Sequence, residues 1–302
     1  MALIVLLYAL FASSFSIGKV LLRYSSPLFL TGTRMLLGGV ILVAYQLIAP
    51  NQCFRIKRKH LWLFLQIILF GVFLNYILRY WALDSLSSYK TCFLYNLAPF
   101  MSAIYSYFFF KERITPRKMI GLLIGFIGMI PILITTSSSE QILGEISIIS
   151  LPEFAVIVSV ALHSYSWVVM RKLVKDKSYS PIMVNGITMS AGGLLALMIV
   201  PFMAATPLVV SKVVPFSGWL LTIVLISNVV CYNLYGSLLK KYSATFLSFA
   251  GFLCPLFAAL YGWGFLGEKI SWHFYLSSFL VFIGLYIFYR EEVKETEARE
   301  ND

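Results

Sequence analysis

Apolar residues run along this chain in blocks of about twenty, each cut off by a short polar or charged stretch before the next begins. The blocks fall near residues 2–22, 28–49, 61–83, 91–110, 117–135, 154–170, 181–203, 216–239, 244–266 and 272–289. A helix rising about 1.5 Å per residue needs roughly 20 residues to cross a hydrocarbon core of roughly 30 Å. Barrel strands would be half as long and would alternate in polarity, whereas a helix satisfies its own backbone hydrogen bonds in lipid. The expected fold class is an all-α membrane protein of ten transmembrane helices. The first block lacks a positive n-region and stays apolar along its length, so it is expected to be a span and not a cleaved signal.

The charged interruptions repeat. The stretch "FFFKERITPRK" at 108–118 is echoed by "FLGEKISWH" at 265–273. At an offset of 156, Pro99 meets Pro255, Tyr105 meets Tyr261, Phe109 meets Phe265, Glu112 meets Glu268, and "FIG" at 126–128 meets "FIG" at 282–284. At an offset of 154, Pro27 meets Pro181, Gly32 meets Gly186, Met35 meets Met189, and Gly38-Gly39 meets Gly192-Gly193. The chain therefore reads as two five-span units, 1–135 and 152–290, joined by a linker at 136–151 and followed by a polar tail at 291–302. An odd number of spans per unit makes the second copy enter the membrane from the opposite face. Such inverted repeats are the build of alternating-access secondary transporters, with the substrate site at the midplane where the units meet.

Charge gives the orientation. With the N-terminus inside, inner segments hold Arg55, Lys57, Arg58, Lys59, Lys111, Arg113, Arg117, Lys118, Arg171, Lys172, Lys175, Lys177, Lys240, Lys241, Arg290, Lys294 and Arg299, while outer ones hold Arg23, Lys90, Lys212 and Lys269. The positive-inside rule then puts both termini in the cytoplasm; a bacterial inner membrane is the expected location. The composition agrees, at 60% hydrophobic and 12% charged residues, against about 25% charged in soluble domains. The basic excess lies in those loops, so lipid and a small-molecule substrate are the expected partners and nucleic acid is not. Oligomeric state is not legible.

A Pro about 13 residues before a Glu, then Ile-Thr or Ile-Ser, then a span ending in "FIG", occurs once per half. That doubled pattern resembles the EamA-like branch of the drug/metabolite transporter superfamily, along nearly the whole chain. The chain also resembles the S-adenosylmethionine/S-adenosylhomocysteine transporters of chlamydia-like intracellular bacteria. This second resemblance implies import of S-adenosylmethionine, with S-adenosylhomocysteine as a possible counter-substrate. Export of an amino acid or other small metabolite, and a scaffold or receptor that moves nothing, are the competing readings.

Candidate chemistry lies inside the spans. Lys19, Arg34 and Arg79 are the cations left within them, and each needs a partner or a wet cavity. Lys19 and Arg79 lie close enough to the outer boundary to snorkel, with Asp84 as a surface partner for Arg79. Arg34 lies too deep, and its planar fork suits an anionic group of a substrate. Asn75 and Arg79 share a helical face beside Tyr76 and Tyr80, and Asn228, Tyr232 and Tyr235 share another, where aromatic rings can stack on a flat substrate while amides read its edge. Interface belts and interhelical hydrogen bonds are the plainer use of these residues. His163 is either a proton relay or substrate ligand, or a packing residue. Glu112 and Glu268 are expected to hold turns, with Thr115-Pro116 starting the next helix. Pro99 and Pro255 are the candidate kinks.

Four scattered cysteines, Cys53, Cys92, Cys231 and Cys254, give neither a disulfide framework nor a zinc site. "SIGK" at 16–19 lacks the companion elements of acyl-enzyme hydrolases, and no phosphate-binding loop is present. No cofactor, metal or enzyme activity is expected. "GLLIG" at 121–125 predicts a close helix contact.

Overall fold

The computed structural model describes residues 2–48, 56–85, 91, 94–112, 114–134, 151–203, 212–266 and 272–301. All regular structure among them is helical. α1 (Ala2–Leu22) and α2 (Pro27–Ile48) are followed by α3 (residues 58–85), which passes through a π-helical stretch at Ile67–Leu74. Then come α4 (Ala98–Phe110), α5 (Pro116–Ile134), α6 (Leu151–Arg171) and α7 (Pro181–Met203). α8 (residues 213–238) repeats the construction of α3, with a π-helical stretch at Val224–Cys231. α9 (Ala244–Ala250), α10 (Leu253–Leu266) and α11 (Trp272–Asn301) complete the chain.

These helices fall on the apolar blocks. Among the described residues, five are long and apolar enough to cross a membrane: Pro27–Ile48, Arg58–Ala82, Leu151–Asp176, Pro181–Phe202 and Val213–Leu238. Polarity is distributed opposite to that of a soluble protein. Leu37, Val40, Phe108, Phe202, Phe279 and Phe282 are exposed, while Arg34, Asn75, Arg79 and Asn228 are buried. An apolar exterior around a polar interior suits a chain solvated by lipid.

Close approaches are made by glycines, of which Gly39 and Gly193 are related by the repeat offset. α2 packs along α7; a Cβ on Gly39 would lie 2.3 Å from the Ser190 backbone nitrogen, and one on Gly193 would lie 2.4 Å from that of Leu36. α5 packs along α11, where a Cβ on Gly121 would sit 2.8 Å from the Gly284 carbonyl oxygen. The small residues of "GLLIG" thus let two backbones meet, as expected of such spacing.

Residues 136–150 of the expected linker, Glu268, and the side chains of Lys19 and Asp84 lie outside the described residues. The expected polar tail continues α11 as far as Asn301. Its Glu292 is buried, with one carboxylate oxygen accepting from Lys118 Nζ at 2.7 Å and the other from the Ser243 amide at 2.7 Å.

Candidate functional site

Two breaks shape the interior. Before Pro99 the chain turns at Asn96-Leu97, and before Pro255 it turns at Gly251-Phe252, so each proline sits in the first turn of a fresh helix, α4 or α10. A proline there gives up no intrahelical bond, because first-turn N–H groups have no partner within the helix. The expected kinks are therefore interruptions placed just ahead of the prolines. The π-helical stretches end beside Asn75 and Tyr232, and each rotates the residues that follow towards the interior.

Between these elements lies a cavity of about 120 Å³ lined by Arg34, Tyr76, Arg79, His163, Tyr232, Tyr235 and Pro255 of the expected residues. Tyr8, Phe11, Tyr95, Asn96, Trp167, Ser227 and Ser248 also line it. Asn75, Tyr80 and Asn228 stand behind that wall and hold its members.

Arg34 is 1% exposed. Its Nε donates to Asn228 Oδ1 at 2.7 Å, Nη1 to Tyr80 OH at 2.9 Å, and Nη2 to Ser227 Oγ at 2.7 Å. Of a guanidinium's roughly five N–H donors these use three, which leaves one on each terminal nitrogen. That pair matches the two oxygens of a carboxylate. Arg79 does not snorkel: its guanidinium carbon lies 5.2 Å from the Tyr76 ring centre and 5.4 Å from those of Tyr80 and Tyr95. Aromatic faces attract a cation that has lost its water, which explains how this charge stays buried.

A second network holds the histidine. Ser159 Oγ donates to Asn75 Oδ1 at 2.7 Å, and Tyr95 OH donates to the same oxygen at 3.1 Å. The Asn75 amide nitrogen lies 3.3 Å from His163 Nδ1, while Trp167 Nε1 donates to His163 Nε2 at 3.0 Å. An indole N–H only donates, so this bond leaves the proton of a neutral imidazole on Nδ1, and the Asn75 amide nitrogen beside it is then a contact and not a hydrogen bond. Trp167 also stacks on Tyr235, with ring centres 4.0 Å apart and planes at 33°, and lies 5.4 Å from Tyr232. Sequence reasoning did not single out Trp167, Tyr95 or Ser227, although Trp167 stands four residues after His163 on the same helical face.

Glu112 lies away from this cavity. α4 ends at Lys111 in the left-handed conformation, φ 57°, and the Glu112 amide reaches back to the Ser106 carbonyl at 3.4 Å. The Lys111 amide meanwhile bonds the Tyr107 carbonyl at 2.9 Å, the closing bond of the αL motif. It projects the Glu112 carboxylate onto Arg171, which binds both oxygens at 2.8 and 2.9 Å. Thr115 accepts from the Lys118 amide at 3.3 Å at the start of α5, as a capping residue does. Among the described residues no group of three or more His, Cys, Asp or Glu gathers.

The model of the EamA-like transporter family matches residues 1–134 and 150–290. The chain belongs to that family. It is 33% identical over 291 residues, 95% of this chain and 90% of the relative, to the S-adenosylmethionine/S-adenosylhomocysteine transporter of Chlamydia muridarum. The protein of the same name from Chlamydia trachomatis serovar D is 32% identical over 95% of this chain and 88% of its own. An uncharacterized transporter of Bacillus subtilis, YvbV, is 27% identical over 42% of this chain and 41% of its own. A solved crystal structure at 19% identity superposes with a TM-score of 0.72 over 97% of this chain and 96% of the other, a likeness of fold. As an EamA-like transporter with several apolar membrane-length helices, the protein is a multi-pass membrane protein whose cargo is a small molecule.

Proposed function

We propose that this EamA-like protein takes up S-adenosylmethionine across the bacterial inner membrane in exchange for S-adenosylhomocysteine. Two inverted five-helix halves, 1–135 and 152–290, rock around the central cavity with both termini in the cytoplasm. The observation that carries the reading is the make-up of that cavity: two buried arginines together with the Trp167–Tyr232–Tyr235 aromatic cluster. The arginines match an amino-acid carboxylate and the stack matches an adenine face. The interrupted helices α4 and α10 bring Asn96, Gly251 and Pro255 to the same cavity, a feature that recurs in transporter binding sites. The identity to the two chlamydial transporters supports this substrate class.

At about 120 Å³ the cavity is smaller than the roughly 300–1,000 Å³ of ligand pockets for molecules of this size. Loading therefore requires the walls to part. Cells expressing the chain should accumulate labelled S-adenosylmethionine, with excess unlabelled S-adenosylhomocysteine suppressing uptake. Correctly inserted protein that accumulates none would refute the substrate.

A further inference from the structure

About a dozen ångströms along α4 from the central cavity, by the helical rise from Ala98 to Ser106, lies a second cavity of about 300 Å³. Charged groups crowd it: Glu112, Lys118, Arg171, Lys240, Glu292 and Glu295 are among its lining residues. Two ion-pair systems cross it. Arg171 grips Glu112 through both terminal nitrogens, and Lys118 Nζ reaches Glu292 at 2.7 Å and Glu295 at 2.8 Å. Each joins a residue before 135 to one after 151. Between the two cavities, Ser102 Oγ meets Ser248 Oγ at 2.8 Å, linking α4 to α9.

We propose that Glu112–Arg171 and Lys118–Glu292/Glu295 are the bolts of a gate, closed in this structure, that must part when cargo passes that end of the molecule. The inference rests on the transport reading above and adds to it the residues that open and shut the route. Buried ion pairs contribute little net stability compared with apolar packing, because desolvation offsets their attraction. Their use at a moving seam is different. When the seam opens, each separated charge regains water, whereas parted apolar surfaces would be exposed to it. Around the Glu112–Arg171 pair, the Arg171 guanidinium carbon lies over the Phe110 ring, 4.7 Å from its centre, and the Ser106 hydroxyl, buried at the cavity wall, makes no hydrogen bond with the described residues. The Lys118 bolt also fastens the amino end of α9, since the same Glu292 carboxylate accepts from the Ser243 amide.

The test reads opening and not cargo. In a background with Cys53, Cys92, Cys231 and Cys254 changed to Ser, Ser106→Cys is placed in lipid nanodiscs, where both faces meet water. Its reaction with a charged, membrane-impermeant methanethiosulfonate is then timed. With the bolts intact, labelling is slow, because Ser106 is 2% exposed. Glu112→Gln and Lys118→Met, singly and together, should speed labelling tenfold or more. The exchanged pair Glu112→Arg with Arg171→Glu should restore slow labelling, which a merely misfolded variant would not do. Unchanged rates in monodisperse single and double variants, or an exchanged pair as fast as Glu112→Gln, would overturn the gate. Failure of S-adenosylmethionine uptake alone would leave these rates as they are, so the two readings fail separately.

Discussion

Arg34 gives the sharpest test of how the cavity recognises cargo. Arg34→Lys keeps a positive charge but replaces a planar fork by a compact ammonium, which cannot reproduce the bonds to Asn228, Tyr80 and Ser227 while also facing a carboxylate with two donors. Losing one partner of a desolvated charge pair costs about 2–5 kcal/mol. At about 1.4 kcal/mol per tenfold, affinity for a carboxylate-bearing ligand should fall at least roughly thirtyfold. The assay is competition for labelled S-adenosylmethionine uptake by S-adenosylhomocysteine and by its carboxyl methyl ester. In the unaltered protein the ester should compete at least roughly thirtyfold more weakly, because it has lost the charge that Arg34 meets. In Arg34→Lys the gap between the two competitors should narrow, since the bidentate part of the interaction cannot be lost twice, while the retained charge and Arg79 keep part of it. If the penalties for the ester and for the substitution simply add, the carboxylate lies elsewhere in the cavity and the reasoning fails.

Other expectations follow from the same geometry. Trp167→Ala should weaken substrate competition by about 1–3 kcal/mol, the usual worth of an adenine-type stack, while Trp167→Phe keeps the ring beside Tyr235 and should lose far less; equal losses in both would argue against stacking. Gly193→Ala forces a methyl group against the Leu36 and Gly32 backbones and should destabilise the detergent-solubilised protein by about 1–3 kcal/mol. Its control, Gly218→Ala, meets nothing within 4 Å and should leave the thermal midpoint unchanged or raised. Ser243→Ala removes the side-chain oxygen that accepts from the Phe246 amide at 3.1 Å at the head of α9, a cap worth about 1 kcal/mol, and thermal unfolding with and without the substitution measures it.

The positions of the helices were legible because hydropathy averages over about twenty residues, and that average is what lipid selects. The interruptions at Asn96-Leu97 and Gly251-Phe252 and the π-helical stretches were not. Each concerns a single turn, and a shift of one backbone hydrogen bond leaves apolar content unaltered. Those same turns decide which face of α3 and α8 looks inward, so Tyr76, Tyr232 and Tyr235 were named from spacing while Tyr95 and Ser227 were not. Arg79 was readable as a buried or a snorkelling cation. Three tyrosine rings, brought in from α3 itself and from Tyr95 ahead of α4, decide for burial. Likewise "REEVKETEARE" carries no apolar stripe, and its helix is anchored by Lys118, 174 residues away from Glu292. No local pattern announces such a pair.

If the sequence repeat reflects a duplication, the scaffold positions should match between the two units and the chemical ones should not. At the repeat offsets the packing glycines and the two prolines coincide, as do Tyr76 and Tyr232. The remaining positions of the cavity do not. Arg34 stands against Thr188, Arg79 against Tyr235, and Asn75 against Cys231. Both arginines thus come from the first copy, and the Trp167–Tyr235 stack comes from the second. A cavity built from two identical copies would present the same chemistry at both walls and would suit a symmetric ligand. One that combines cations with π-faces suits a ligand that is itself two-ended, a carboxylate at one end and a flat heterocycle at the other.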